Sequence, residues 1–145
     1  MTEKNAICLA TMNDYSGAIT SHMEALKVYR IVYGSSHINV KNSLFNIGLC
    51  LNSLSKTEKA RRCLQQAYKM TKNMYGDQNI ESAEIKFHIG ISYKLEGDWK
   101  EASQYFDDSI SLRIIYSDNG KSLAETFEMA GDAVSQNMIG LFFHS

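Results

Sequence analysis

No proline interrupts this chain, so the strongest helix breaker is missing and long helical stretches are permitted. Cysteine is scarce and odd in number: Cys8, Cys50 and Cys63 form no CxxC pair. That excludes a disulfide framework and a cysteine zinc site, and it predicts buried, reduced thiols. Charge of either sign is not in excess: 15 Lys and Arg face 16 Asp and Glu, for a net charge of −1. Such a balance gives no general attraction to nucleic acid or to anionic membranes. No run approaches the roughly eighteen apolar residues a membrane-spanning helix needs, so membrane insertion is not expected. Thr2-Glu3-Lys4-Asn5 at the start does not resemble the basic opening of a secretory leader, and a cytoplasmic location is expected.

Catalytic patterns are missing too. His22, His37, His88 and His144 have no metal-ligand spacing among themselves, and there is no HExxH pair or glycine-rich phosphate loop. No nucleophile and base can be paired. The expectation is a protein that is not an enzyme, with no cofactor and no bound metal.

What the chain has is a period. Tyr33-Gly34 and Tyr75-Gly76 lie 42 residues apart, and Phe45-x-Ile47-Gly48 recurs as Phe87-x-Ile89-Gly90 at the same offset. Ala18, Ala60 and Ala102 share that offset, as do Ala25, Ala67 and Ser109. Self-similarity at this length marks a stacked repeat, in which neighbouring units bury a continuous core. Within each unit the apolar steps are helical: Ile85, Ile89 and Tyr93, then Tyr105, Phe106, Ile110 and Ile114. Gly97-Asp98-Trp99 breaks the pattern, and Asp98 followed by Glu101 has capping-box spacing. Ser55 and Glu58 offer the same spacing one unit earlier.

Small residues are needed where two helices of a hairpin approach closely. Gly48 with Ala60, and Gly90 with Ala102, supply them, and Ala6 with Ala18 forms a third pair. A one-residue deletion near Ile115 places Gly131 at the equivalent of Gly90, with Phe127 and Val134 on the buried face. The reading is all-α: an antiparallel hairpin over about 2–32, others over 38–74 and 80–116, and a final helix over 121–136. Seven helices result, without a β-sheet. Residues 1–136 form the repeat domain, and 137–145 are a non-repeat apolar tail. Three fates are open to that tail: continuation of the last helix, an apolar plug, or an irregular terminus.

Ile89-Gly90, Tyr93, Gly97-Asp98-Trp99, Ala102 and Phe106 resemble the tetratricopeptide repeat; Leu44, Ile47-Gly48, Leu51, Ala60, Leu64 and Ala67 carry the same pattern one unit earlier. The 42-residue period and Tyr33-Gly34-Ser35-Ser36-His37 are similar to the kinesin light chain type of repeat. Ile38 stands where that subfamily usually has proline, and only Asn46 remains of its asparagine pair. The resemblance implies a right-handed α–α superhelix whose first helices line a concave, partner-binding side. It implies a non-catalytic scaffold or adaptor that binds a peptide segment or a partner helix. Peptide-sensing regulation, or membership in a longer kinesin-light-chain-like cargo adaptor, is the alternative.

Carried over position by position, the resemblance places Asn42, Phe45, Asn46, Leu49 and Asn52 on the concave face, followed by Glu84, Phe87, His88, Ile91 and Lys94, then Glu125, Glu128 and Asp132 with Met129 beside them. Asn46 is suited to an extended peptide, because one amide pairs with a backbone donor and acceptor together. Phe45, Phe87 and Glu128 occupy positions where carboxylate-binding members carry Lys or Arg, which disfavours an acidic C-terminus as ligand. Leu141-Phe142-Phe143 exposes apolar surface at one end and offers a route to self-association.

Overall fold

The computed structural model describes residues 14–116 and 120–144, with side-chain surroundings for 14–116 and 124–136. Among these residues there are six helices and no strand: α1 (Tyr15–Tyr33), α2 (Ile38–Ser53), α3 (Thr57–Tyr75), α4 (Ile80–Leu95), α5 (Trp99–Tyr116) and α6 (Gly120–His144). The fold is the expected α–α solenoid. The first of the seven expected helices lies outside the described residues. Each helix packs on its neighbour in sequence, and α2 also touches α4, so α2 with α3, and α4 with α5, form successive hairpins.

Local chemistry explains where the helices begin. Asp14 accepts a hydrogen bond from the Gly17 amide at 2.9 Å, Asn79 from the Ser82 amide at 2.9 Å, and Asp98 from the Glu101 amide at 3.3 Å. Each satisfies an amide that has no partner within the helix. His37 does the same for α2, accepting from the Asn39 amide through Nδ1 at 3.1 Å while its ring stacks on Tyr33, centroids 4.1 Å apart. The Tyr-Gly pairs end α1 and α3, where Gly34 and Gly76 take φ of 84° and 87° and donate to the Arg30 and Lys72 carbonyls. A left-handed residue there closes the last turn, and glycine adopts it at little cost.

The expected Ser55–Glu58 cap is not made. Lys56 occupies the N-cap of α3 without a side-chain hydrogen bond. Ser55 instead takes the left-handed place that Gly97 fills in the next hairpin, with φ of 59° against 81°. Ser55 donates to the Asn52 carbonyl and Lys56 to the Leu51 carbonyl, just as Gly97 and Asp98 donate to Lys94 and Tyr93. The backbone turn is the same, so Ser55 is committed to the end of α2 and cannot cap α3.

Among the described residues the core has two large clusters and a small third one of Ala18 and Cys50. Leu26, Val40, Leu44, Ile47, Leu51, Leu64, Ile85 and Ile89 join the first three hairpins, while Phe87, Ala102, Phe106, Ala130 and Ala133 join the third to α6. Gly48 and Gly90 are small for a reason more specific than a helix crossing. A Cβ on Gly48 would lie 2.8 Å from Leu64 Cγ, and one on Gly90 would lie 2.6 Å from Phe106 Cε1. The glycines make room for the large residue four positions beyond Ala60 and Ala102. Cys50 is buried and Cys63 partly so, both as free thiols.

The last helix resolves one expectation and corrects another. Its backbone continues through His144, which is the first of the three fates named for the tail. Phe127 and Val134, expected to be buried, are 51% and 46% exposed, while Ala130 and Ala133 are buried. Gly131 has nothing within 4 Å of its Cβ direction. At the equivalent face of α4, Gly90 meets Phe106 of α5; among the described residues no helix lies against that face of α6. Its buried side is the one turned to α5.

Candidate functional site

The residues assigned to the concave face come from α2, α4 and α6, and they fall into three groups. Asn42 and Phe45 of α2 face Glu84 of α4 across a pocket of about 200 Å3, which Lys41, Glu81 and Ile85 also line. This is the open part of the surface, with Glu84 exposed. Its polar edge is set by the ion pair between Lys41 and Glu81, whose ammonium also sits over the Tyr75 ring, 5.9 Å from the centroid. Lys41 is only 5% exposed, so a second charge is what makes its position tolerable. The repeat pattern gives no warning of Lys41 or Glu81 as pocket residues; the signal in the chain is a lysine following Val40 on an otherwise buried face.

A second group ties α2 to α4. Asn52, expected to face a ligand, is buried and engaged: Nδ2 donates to the His88 carbonyl at 3.1 Å, and Oδ1 accepts from Ser92 Oγ at 2.6 Å. Phe45 and Phe87 both meet the His88 ring edge-on, with centroids 5.4 and 5.1 Å away. Phe87 is buried and packs against Phe106 at 5.7 Å, so its ring serves the core between α4 and α5. The Arg113 guanidinium lies 5.8 Å from the Phe87 centroid, and its Nε donates to Ser109 Oγ at 3.2 Å. Burial, and next the positive charge of Arg113, lower the His88 pKa to about 4. His88 is therefore neutral near pH 7 and acts as a ring that fills space between three helices. Asn46 and Leu49 are half-buried on the same helix face, and Ile91 lies half-buried on α4.

The third group links α4 to α6. Lys94 Nζ donates to the Met129 sulfur at 3.1 Å, one repeat on from the Asn52 bond to His88. Glu125, Glu128 and Asp132 are exposed on α6, at a distance in the chain from the Asn42–Phe45–Glu84 pocket. Phe127, absent from the concave residues named from sequence, adds an exposed ring to this helix.

Among the described residues no group of three His, Cys, Asp or Glu is placed to hold a metal ion. No described helix is long and apolar enough to cross a membrane. The arrangement is a wall of helices with side chains at regular intervals.

Residues 1–73 match the family model described as Tetratricopeptide repeat. The chain belongs to the tetratricopeptide repeat family. Curated relatives are similar to most of this chain. The Clustered mitochondria protein homolog of Ajellomyces capsulatus is 24% identical over 123 residues, covering 83% of this chain and 10% of that protein. Its namesake in Candida albicans is 24% identical over 98 residues, covering 68% of this chain and 7% of that protein. The chain thus spans about a tenth of the length of these relatives. Among solved structures, the crystal structure of BtubC (BKLC) from P. vanneervenii superimposes with a TM-score of 0.82 at 18% identity, covering 91% of this chain and 53% of that one. At that identity the likeness speaks for the tetratricopeptide solenoid alone. Tetratricopeptide repeats support a protein-interaction scaffold in general, with protein partners.

Proposed function

We propose that this chain is a non-catalytic scaffold whose wall of α2, α4 and α6 binds a peptide segment or partner helix, with Asn42, Phe45 and Glu84 as the central contacts. The observation that carries the reading is the pocket these three share between consecutive repeats. An apolar ring flanked by an amide and a carboxylate gives one hydrophobic anchor and two orienting polar groups. Asn46, Leu49, Ile91 and Lys94 extend the surface along the wall, and Glu125, Glu128 and Asp132 give its far end an acidic character. The partner is a protein, the setting cytoplasmic, and nucleic acid is not a ligand.

A kinesin-light-chain type of repeat is supported by the 42-residue period and by His37, which caps α2 while stacking on Tyr33. This favours cargo adaptation within a longer array as the specific form of scaffolding. Self-association through residues 137–145 accompanies the proposal, because α6 also carries the exposed Phe127 and Val134.

Peptide-array binding with an Asn42→Arg, Glu84→Arg double variant tests the central contacts. Loss of most bound peptides, with unchanged thermal melting, is expected; an unaltered array profile would remove the pocket from the binding surface. Sedimentation with and without residues 137–145 checks self-association, and identical monomeric profiles reject it.

A further inference from the structure

The 42-residue offset places two grooves in equivalent positions on the other side of the helices. The first lies between α1 and α3 over a floor of α2, with a volume of about 650 Å3. The second lies between α3 and α5 over α4, with about 350 Å3. The second is partly closed by side chains of its own unit and of α3. Arg61 lies over Tyr93, 4.4 Å from the centroid, and pairs with Glu96 at 2.6 Å. Lys86 sits over Tyr68 at 5.5 Å and reaches Asp108 at 3.8 Å. Tyr93 and Tyr105 stack at 5.7 Å.

In the first groove every one of those partners is replaced. Ile19, Leu51 and Leu54 stand for Arg61, Tyr93 and Glu96, while Leu26, Leu44 and Cys63 stand for Tyr68, Lys86 and Tyr105. The closure is lost and an apolar floor remains, with Met23 54% exposed on its wall. The rim carries Arg30, Lys56, Lys59 and Arg62, all exposed. Glu58 pairs with Arg62 at 2.8 Å, and among the described residues no acidic side chain lines the groove itself. At the second groove the counterparts of Lys56, Lys59 and Arg62 are Asp98, Glu101 and Gln104, while Arg30 has a basic counterpart in Lys72, so three of the four rim cations belong to the first groove and not to the repeat.

We propose that the groove between α1 and α3 docks an acidic amphipathic helix of a partner protein, on a surface separate from the concave wall. Its apolar stripe takes the place that Arg61, Tyr93 and Tyr105 fill in the next unit, and its carboxylates meet the four cations. From Ser16 to Arg30 the α1 wall is about 20 Å long at the helical rise per residue, enough for three to four turns of a docked helix. Anchors at i, i+3, i+4 and i+7 match such a trough.

The test is selection of helix-forming peptides from a displayed library on the whole chain, followed by fluorescence anisotropy with the enriched sequences. Enriched peptides are expected to carry an apolar stripe flanked by Asp and Glu. Their affinity should fall about tenfold or more in a Lys59→Glu, Arg62→Glu variant and in Met23→Glu, and should weaken with added salt. Gln104→Glu in the second groove and Asn42→Arg on the concave wall should leave it unchanged, which separates this surface from the one proposed above. All these side chains but Asn42 are exposed, and an unshifted melt confirms that each variant is folded. No enrichment, enrichment of neutral or basic peptides, or affinity indifferent to the rim reversal overturns the proposal. So does self-association that Met23→Glu abolishes, which assigns the groove to a second copy. Flotation with phosphatidylserine vesicles that the rim reversal abolishes assigns it to a membrane surface and likewise overturns the proposal.

Discussion

The grooves flanking α3 share a backbone and differ in almost every side chain. Around the second, rings and charges close on one another: Arg61 on Tyr93 and Glu96, Lys86 on Tyr68 and Asp108. Around the first, aliphatic side chains leave an open trough under a ring of cations. Residues at the closest approach of the two helices of a hairpin keep their character between the units: Ala60 and Ala102 are both fully buried, and Leu64 and Phe106 both fill the space beside a glycine. The repeat therefore keeps the tightest packing inside a unit and varies the side chains that line its grooves.

The largest expected effect tests the shared part. Leu64→Ala and Phe106→Ala each remove a fully buried side chain, and each should cost about 3–5 kcal/mol in urea unfolding. A negligible loss at one of them would mean that the two hairpins are not built alike.

His88 gives the next difference, since its counterpart one unit earlier is Asn46. The folded pKa of about 4 lies below the ordinary 6.5, so between those values the unfolded chain binds more protons than the folded one. Stability should thus fall as pH drops from 6.5 towards 4, by up to about 3 kcal/mol, and the penalty should be absent above that range. Replacing His88 by Asn should flatten this limb of a stability–pH profile. An unchanged slope would place the acid sensitivity elsewhere.

Smaller still is the closure of the second groove. Arg61→Ala removes the stacking on Tyr93 and the partner of Glu96, at an expected cost of about 1 kcal/mol because both ends are partly solvated. Ile19→Val at the equivalent place should change chemical denaturation less than Arg61→Ala does; the reverse order would undo the contrast between the grooves. Smallest is the turn. Ser55→Gly should raise stability by about 0.5–1 kcal/mol, since serine holds a left-handed φ of 59° where Gly97 sits in the next unit. A melting temperature that drops in this variant would mean that Ser55 gains more from its side chain than it loses in its backbone.

Much of the architecture was legible because it rests on period and local chemistry. Asp98 caps α5 through a hydrogen bond its spacing with Glu101 announces, and Gly34 and Gly76 end helices at the expected places. The site was less legible. Phe87 holds a family groove position yet packs on Phe106, and Asn52 spends its amide on His88 and Ser92. Helical spacing says which side chains share a face, but the depth of each depends on the angle at which the neighbouring helix arrives. Phe127 and Val134 were misplaced for a related reason: periodicity marks a face as apolar without telling whether a following helix covers it.

By itself the sequence determined that the chain is helical, that its hairpins recur every 42 residues, and where small residues must stand, since each follows from local backbone preference and repeated spacing. Only the tertiary structure decided which repeated positions meet across units, because Lys41 finds Glu81 and Arg61 finds Tyr93 through stacking of separate hairpins. The same stacking leaves one groove partly closed by its own side chains and the other open, a difference set by contacts between residues on separate helices, such as Arg61 with Tyr93 and Lys86 with Asp108, that no local pattern encodes.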